Sequence, residues 1–463
     1  MKKILFYIVL WFCKFVSWIM SKLYKKGGST LPGKIATKMH KQFIRYFKNL
    51  DMNKVIMVTG SNGKTSTTNM IAHTLKTAGK EVATNAQGAN MISGVATTLI
   101  KNSNLKGKYK KEYLVLEIDE RSLPAIHKQL PALHLAITNI LKDQAQRNGD
   151  PDFIYQKLEN TINKNMTLYL NNQEPTSKGL EDKAGKVIYY GIDKNDKTYI
   201  EKQDFYSVTL PCPKCCGKIE FEYYNIESNG NFKCTNCNFA SEKKPDIEIT
   251  DIDFENKIIN CENKMYKVAY ALPFYMYCYA VTLAVCKNFG ISDIQIEEGF
   301  TTFNNPNERR EKFTYKEKDV KYLRIKQENP ETLQNALNTV AEDKTEKAIF
   351  IGLYEVKDFY PAYTNTFYFF DCHFKEVAQS NVEKYICFSK TVSYDCANRM
   401  IYDGAEKEKI KIIDAEEDIE AIMKEMDNIK TNNIYLISGM KPYKKIKEFF
   451  AQHGDNIQEK ENK

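Results

Sequence analysis

The stretch Val58–Gly79, VTGSNGKTSTTNMIAHTLKTAG, limits the fold of this chain more than any other. It joins an apolar run, KVIMVTG, to a segment in which Met70, Ile71, Leu75 and Ala78 recur at helical spacing. A strand, a tight turn and a helix are therefore predicted in that order. Gly60 and Gly63 let the backbone turn sharply and aim its N–H groups at an anion, while Lys64 brings a positive charge to the terminal phosphates of a nucleotide. The Thr65 hydroxyl is placed to take a position on Mg²⁺. A Gly-Asn turn with an incidental lysine is the competing reading, and the strand before and helix after the loop argue against it.

Further apolar runs at EYLVLEID and HLAITNI, separated by helix-like stretches, predict an α/β fold with a parallel-rich sheet. Glu117 stands at the carboxyl end of the first of these runs, where ligands gather in open α/β sheets. A carboxylate there can hold the Mg²⁺ that bridges nucleotide phosphates; a surface acid at a strand end is the alternative. Asp119 and Glu120 follow closely, but strand alternation keeps the three acids from facing one metal.

From about Phe205 to Lys244 the pattern changes to short polar segments around CPKC and CTNC. Cys212, Cys215, Cys234 and Cys237 have the spacing of two facing knuckles around a tetrahedral Zn²⁺. Four thiolates close the coordination sphere, so the expected zinc is structural. Disulfides at these positions are the alternative, disfavoured because the other cysteines are scattered singly in apolar surroundings, as in a reducing compartment. Cys216 is read as a bystander.

Three regions follow from the rest of the chain. Residues 1–50 hold an apolar segment, Ile4–Met20, and the Gly/Pro-rich GGSTLPGKIATK, read as a linker or a structured loop. Residues 51–305 form the central nucleotide-binding α/β domain with its insert at 205–244, and YKVAYALPFYMYCYAVTLAVCKNFG is read as one buried helix near its end. Strand candidates at KAIFIGL, KYICFS, KIKIID and NIYLISG predict a smaller, Rossmann-like α/β domain over 306–463. The apolar segment is interrupted by Lys14 and flanked by Lys2, Lys3, Lys22, Lys25 and Lys26, which fits a helix lying on an anionic membrane better than a span or a cleaved signal peptide. The net charge of +8 is spread along 463 residues without a single-sign block, so no nucleic-acid partner is expected. None of the six histidines has a metal-ligand spacing or a nucleophile beside it, and His73 and His127 are read as packing or solvent residues.

The phosphate loop has two residues between its first glycine and the Gly-Lys pair, where the familiar nucleotide loop has four. This shortened form resembles the ATP-binding loop of the Mur ligases. LPGKIA, GANMISG, VLEIDERSLP, TNILKDQAQRNG, the four-cysteine insert, NPNERREKF and ENPETLQNAL resemble one branch of them, the MurT family of ligase-like subunits of lipid II isoglutaminyl synthase. The resemblance covers most of the chain from Leu31 onward. It implies an enzyme that uses Mg-ATP to phosphorylate the α-carboxylate of D-isoglutamate in lipid II, after which ammonia from a separate GatD-like glutaminase subunit gives D-isoglutamine. It also implies a cytoplasmic protein at the inner face of the membrane. Nucleotide contacts would map to Gly60, Asn62, Gly63, Lys64, Thr65, Ser66, Thr138 and Asn139, Mg²⁺ contacts to Thr65 and Glu117, and structural zinc to the four cysteines. Lys64, Glu117 and Asp371 would be the catalytic residues, Asp371 completing the partner's Cys-His pair. An amino-acid-adding Mur-type ligase and an inactive zinc-containing scaffold are the alternatives. Tyr275 and Cys278 stand where the family has an Asn pair, Gln146 and His373 stand where acids are usual, and LYEVKDFYPAYTN replaces an Asp-rich stretch.

Overall fold

The computed structural model of the protein describes residues 2–23, 30–85, 89–141, 151–200, 211–226, 229–304, 310–325, 329–353, 356–357, 364–365, 370–389, 392–414 and 418–456. Gln146 and most of LYEVKDFYPAYTN lie outside the described residues. The chain divides into two compact units; among the described residues the first runs to Asn304 and the second begins at Arg310.

The first unit is built on strands β1 (Val55–Thr59), β2 (Val82–Thr84), β3 (Tyr113–Glu117), β4 (His134–Ile137), β5 (Thr167–Asn171), β6 (Lys186–Ile192), a hairpin of β7 (Ile219–Ile226) and β8 (Asn229–Cys234), then β9 (Ile247–Asp253), β10 (Ile258–Cys261) and β11 (Lys264–Lys267). Nine of them form one sheet in the order β11-β10-β9-β6-β5-β4-β1-β3-β2. It is parallel from β2 to β9, and antiparallel only across β9, β10 and β11. The sequence explains why β1, β3 and β4 read as unbroken apolar runs, because their alternate residues enter different cores. Ile56, Val58, Val115 and Ala136 pack on one face of the sheet, and Val55, Met57, Leu114, Leu116, Leu135 and Ile137 on the other. With β3 and β4 on its two sides, the carboxyl end of β1 lies where the strand order reverses, which is where such sheets bind ligands.

Helices α1 (Lys2–Leu23), α2 (Leu31–Met39), α3 (Lys64–Thr77), α4 (Ile92–Lys101) and α5 (Leu123–His127) occupy the first part of this unit. Two sequence expectations need correction. LPGKIATKM is the helix α2, begun by Pro32 in its first turn, with Gly33 N donating to Thr97 Oγ1 at 2.9 Å. A side chain at Gly33 would collide with the carbonyl of Ser93, so this glycine serves helix packing and not a flexible linker. The segment beginning YKVAYALP is not all helix. Lys264–Lys267 is a strand, and the helix runs from Pro273 to Asn288, where proline fits the first turn.

The second unit has a seven-stranded sheet in the order Ile410–Ile413, Val382–Phe388, Lys347–Gly352, Asn433–Ser438, Lys318–Arg324, Arg310–Tyr315 and Gly454–Asn456. The first five strands are parallel, and the last two pair antiparallel. The four apolar runs seen in the sequence are four adjacent strands of this sheet, from the edge strand Ile410–Ile413 to Asn433–Ser438; the strands beyond them were not read there. Near one end of the sheet, Asp343 accepts hydrogen bonds from Thr345 Oγ1 at 2.6 Å, Tyr435 OH at 2.8 Å and Asn433 Nδ2 at 2.9 Å, and pairs with Lys321 Nζ at 3.1 Å. Burial raises its carboxyl pKa, but these donors outweigh burial and hold it well below the usual carboxylate range. A depressed folded pKa adds stability that is present above the unfolded value and lost as pH falls through the folded one. Asp343→Ala is therefore expected to lower the urea-unfolding free energy of this unit by about 2 kcal/mol at neutral pH, with the gap to the parent chain narrowing below about pH 4.

Candidate functional site

The loop Gly60–Gly63 leaves the carboxyl end of β1 and opens α3. Gly60 has φ 130° and Gly63 φ 80°, conformations that favour glycine, and a side chain at Gly60 would run into Thr138 Oγ1. The loop is fastened to the segment after β4. Asn62 N donates to Asn139 Oδ1 at 2.8 Å, Ser61 N to Asn139 O at 2.9 Å, Thr138 Oγ1 to Asn62 O at 2.6 Å, and Leu141 N to Ser61 Oγ at 2.8 Å. Gly63 offers α3 no side-chain cap, so the first-turn N–H groups, those of Thr65 and Ser66 among them, are oriented as a helix N-terminus presents them to an anion.

Three acids stand at and just beyond the carboxyl end of β3, and each faces a different cation or hydroxyl. Glu117 accepts from Thr65 Oγ1 at 2.9 Å and from Asn90 Nδ2 at 3.1 Å, while its backbone is held on both sides by the Asn85 amide at 2.7 and 2.8 Å. Glu120 takes Lys64 Nζ at 2.5 Å in a pair of which both side chains are 8% exposed. Lys64 also donates to the carbonyls of Gly60 and Ser61. Asp119 pairs with Arg121 at 3.1 Å. Its carboxyl is raised by burial but lowered further by Arg121 and by Lys64, and ends below the usual range. Thr65 and Glu117 thus stand together as a hydroxyl and a carboxylate beside a helix N-terminus, an arrangement whose oxygens fit a hard divalent cation bound to phosphates.

Sequence reasoning set Glu120 aside and missed Asn85, Asn90 and Glu174. Glu174 is fully buried; it accepts from Thr176 N at 3.0 Å, Ser177 N at 2.9 Å and Ile140 N at 3.2 Å, anchoring the segment that carries Thr138 and Asn139. Burial outweighs these donors, and its pKa lies above the usual carboxylate range. The sign of Glu174 in the sequence was only the Glu-Pro step before a short helix. Tyr275 and Cys278, in place of the family's Asn pair, are buried on the helix Pro273–Asn288; Tyr275 stacks on Tyr270 with ring centroids 4.8 Å apart. His73 meets Thr302 Oγ1 and His127 meets the Ala132 carbonyl, contacts that suit packing residues.

The four cysteines come together at one end of the β7–β8 hairpin, with their sulfurs within 4.8 Å of one another. Cys212 Sγ and Cys237 Sγ are 3.8 Å apart, and Cys215 Sγ and Cys234 Sγ 3.5 Å. Tetrahedral Zn–S bonds of about 2.3 Å place sulfurs about 3.8 Å apart, so the set fits zinc. Asn236 N donates to Cys234 Sγ at 3.3 Å, a backbone contact that favours the thiolate a metal takes. Cys216, at φ 60°, is exposed and outside the cluster, as expected of a bystander. Beneath the knuckles lies only a small core of Ile219, Phe232 and Phe239. The insert leans on buried Lys178, which pairs with Glu181 at 2.6 Å and Glu242 at 3.0 Å. Cys234→Ser is expected to leave the insert protease-sensitive and to reduce bound zinc to substoichiometric levels by elemental analysis; full zinc content in the variant would contradict the site.

Asp371, in the second unit, lies half-buried on a turn before the helix Lys375–Ala378. This turn is braced. Arg399, on the helix Val392–Tyr402, donates to the Cys372 carbonyl at 2.8 Å and to Asp403 at 2.8 Å, and Asp403 accepts from Phe374 N at 3.2 Å. His373 N donates to Gln334 Oε1 at 2.8 Å. Nothing in the sequence singled out Arg399 or Asp403, because an i, i+4 pair on a helix is usually only a surface contact.

Residues 58–241 match the Mur ligase middle domain, and residues 327–440 the MurT ligase C-terminal domain. The lipid II isoglutaminyl synthase (glutamine-hydrolyzing) subunit MurT of Staphylococcus aureus strain COL is 27% identical over 79% of this chain and 81% of its own. The subunit of the same name from Streptococcus pneumoniae is 25% identical over 94% of each. Among solved structures, a pseudomurein peptide ligase type C from Methanothermus fervidus has a TM-score of 0.65 at 19% identity, covering 89% of this chain and 81% of that one. MurF from Acinetobacter baumannii has a TM-score of 0.60 at 12% identity, covering 91% and 80%. The chain is a homologue of the MurT proteins, with the Mur ligase fold, a Mur ligase middle domain and a MurT ligase C-terminal domain.

Proposed function

We propose that this chain is the ligase subunit of a two-subunit amidating enzyme in peptidoglycan synthesis. It would convert the α-carboxylate of D-isoglutamate in lipid II to D-isoglutamine at the cytoplasmic face of the membrane, with ammonia from a GatD-like glutaminase. Support for the reaction comes from the Thr65–Glu117 pair at the mouth of the shortened phosphate loop, joined in one chain to a MurT-type C-terminal domain. The matched relatives are named as subunits of a glutamine-hydrolysing synthase, and a ligase of this kind needs a nitrogen donor.

In this reading the N–H groups of Gly63, Lys64 and Thr65 would hold nucleotide phosphates, and Thr65 and Glu117 would hold Mg²⁺. Asn62 and Asn139 fix the loop's shape, and Lys64, paired with Glu120 in this structure, would exchange that carboxylate for a phosphate oxygen. Mg-ATP supplies, when bound, a phosphoryl group that turns the unreactive carboxylate oxygen into part of a good leaving group. Asp371 reaches the glutaminase and orients its catalytic histidine. The four cysteines would hold a zinc that only stiffens the insert, since four thiolates leave no position open.

Mass analysis of the product tests this reading. With partner, glutamine, Mg-ATP and lipid II, the expected product is about one mass unit lighter than the precursor, one NH₂ replacing one OH. A gain of roughly a hundred mass units would identify an amino-acid-adding ligase instead, and an unchanged precursor a scaffold.

A further inference from the structure

Helix α1 has two apolar faces, and only one of them is used by the fold. Phe6, Val9, Leu10 and Cys13 are buried in the core shared with α2, α4 and β1. Phe6 lies against Phe43 and Phe47 with ring centroids 5.1 and 5.3 Å away, and Gly107 leaves room for its ring. Lys14 Nζ is tied to the Ile100 and Ser103 carbonyls at 2.5 and 2.6 Å. On the opposite face Ile4, Ile8, Trp11, Phe15 and Trp18 recur every three or four residues, flanked by Leu5 and Phe12, and all of them are exposed. No soluble fold gains from seven large apolar side chains held together in water, so the stripe is expected to have a partner.

The stripe continues beyond the helix. Trp11 Nε1 donates to the Leu105 carbonyl at 2.8 Å, and Leu105 is itself 62% exposed. Around it Lys106, Lys108 and Lys110 are exposed, and Lys22 lies over the Trp18 ring at 4.3 Å. An apolar strip carrying two tryptophans and edged by lysines has the composition of a surface that sinks into the headgroup layer of an anionic bilayer. By length and composition the helix is sufficient to cross a membrane. Crossing, however, would strip Phe6, Val9, Leu10 and Cys13 out of the core and break both Lys14 bonds.

We infer that α1 and the Leu105–Lys110 loop form a single in-plane platform on an anionic lipid surface, with the helix lying flat and not spanning. Its use, to hold the ligase beside a lipid-linked precursor, rests on the proposed function; the platform itself does not.

The two tryptophans of the chain both lie on this stripe, so tryptophan emission of the full-length protein, excited at the long-wavelength edge where its tyrosines do not absorb, reports on it alone. Vesicles of equal parts phosphatidylglycerol and phosphatidylcholine are expected to sediment the protein, shift the emission to the blue, and allow brominated lipids to quench Trp11 and Trp18 from one shallow depth. That equal depth is read from single-tryptophan forms, Trp11→Phe and Trp18→Phe. Phe12→Ser/Phe15→Ser and Lys106→Glu/Lys108→Glu are each expected to weaken binding by about tenfold or more, the second only on anionic vesicles. Absence of sedimentation and of a blue shift overturns the platform. A depth difference near 10 Å, the rise over the seven residues from Trp11 to Trp18, overturns the flat orientation and indicates a span. Mg-ATP binding is measured on the same samples without vesicles: ATP binding without lipid binding overturns only this inference, and lipid binding without ATP binding overturns only the proposed function.

Discussion

Lys64→Ala is expected to abolish ATP turnover, with a loss of a thousandfold or more, because it removes the side-chain cation that the proposed mechanism assigns to the phosphates. The same change strands Glu120, which Lys64 meets at 2.5 Å in a nearly dry setting. Breaking such a pair from one side costs about 3–5 kcal/mol, since a buried charge is left without a partner. Lost activity alone could therefore mean a lost fold. The double variant Lys64→Ala/Glu120→Gln separates the two, because it removes both charges. It is expected to recover most of the thermal stability and none of the turnover. Glu120→Gln alone should leave a lysine that no longer has to be released from a carboxylate, and nucleotide affinity is expected to rise several-fold as stability falls. Turnover within a few-fold of the parent in Lys64→Ala, measured as phosphate release with lipid II and ammonium, would remove Lys64 from the reaction.

Asp371→Asn is expected to separate the two nitrogen sources. An aspartate that orients a partner's histidine is needed to make ammonia from glutamine and not to use ammonia once made. Glutamine-driven amidation should fall by about a thousandfold or more, the size of effect seen when a triad aspartate is made neutral, while amidation driven by added ammonium salt stays near the parent rate. Equal loss with both sources would place Asp371 in the fold or in phosphoryl transfer, and no loss with either would remove it from the mechanism. The brace around it gives a graded version of the same experiment. Arg399→Ala frees the Cys372 carbonyl and Asp403 from the guanidinium that holds them, so the aspartate keeps its chemistry but loses its position. Glutamine-driven activity should fall less than in Asp371→Asn, again with the ammonium rate spared.

Much of this site was visible in the sequence because it is local. A glycine forced to positive φ, a lysine that opens a helix and a glutamate at a strand tip lie within a few residues of an apolar run whose period is easily read, and Gly60, Gly63, Lys64 and Glu117 all stand in that expected context. The cysteines were legible for the same reason, since two C-x2-C turns fix their own geometry. What could not be read were contacts between distant segments. Asn139 shapes the loop around Asn62, Glu174 anchors Asn139's segment through Ile140 N, and Arg399 braces the turn of Asp371, each across more than twenty residues. Glu120 shows a different limit. Alternation predicts only that the three acids do not share one direction; the strand ends at Glu117, and beyond that point the chain turns and aims Glu120 at Lys64. The Gly/Pro-rich stretch that runs into α2 misled for a further reason: Pro32 starts a helix and Gly33 permits close packing against α4, roles that composition does not distinguish from those of a loop.

The central claim, that the loop and Glu117 prime a carboxylate by phosphorylation, is tested most directly by following its oxygen. Lipid II carrying ¹⁸O in the D-isoglutamate α-carboxylate is converted with Mg-ATP and ammonium, and the released phosphate is analysed by mass. If a carboxylate oxygen attacks the γ-phosphorus and ammonia then displaces the acyl phosphate, each phosphate leaves with one ¹⁸O from the substrate. Unlabelled phosphate accompanying amidated product would show that the carboxylate never bonded to phosphorus, and would contradict the account.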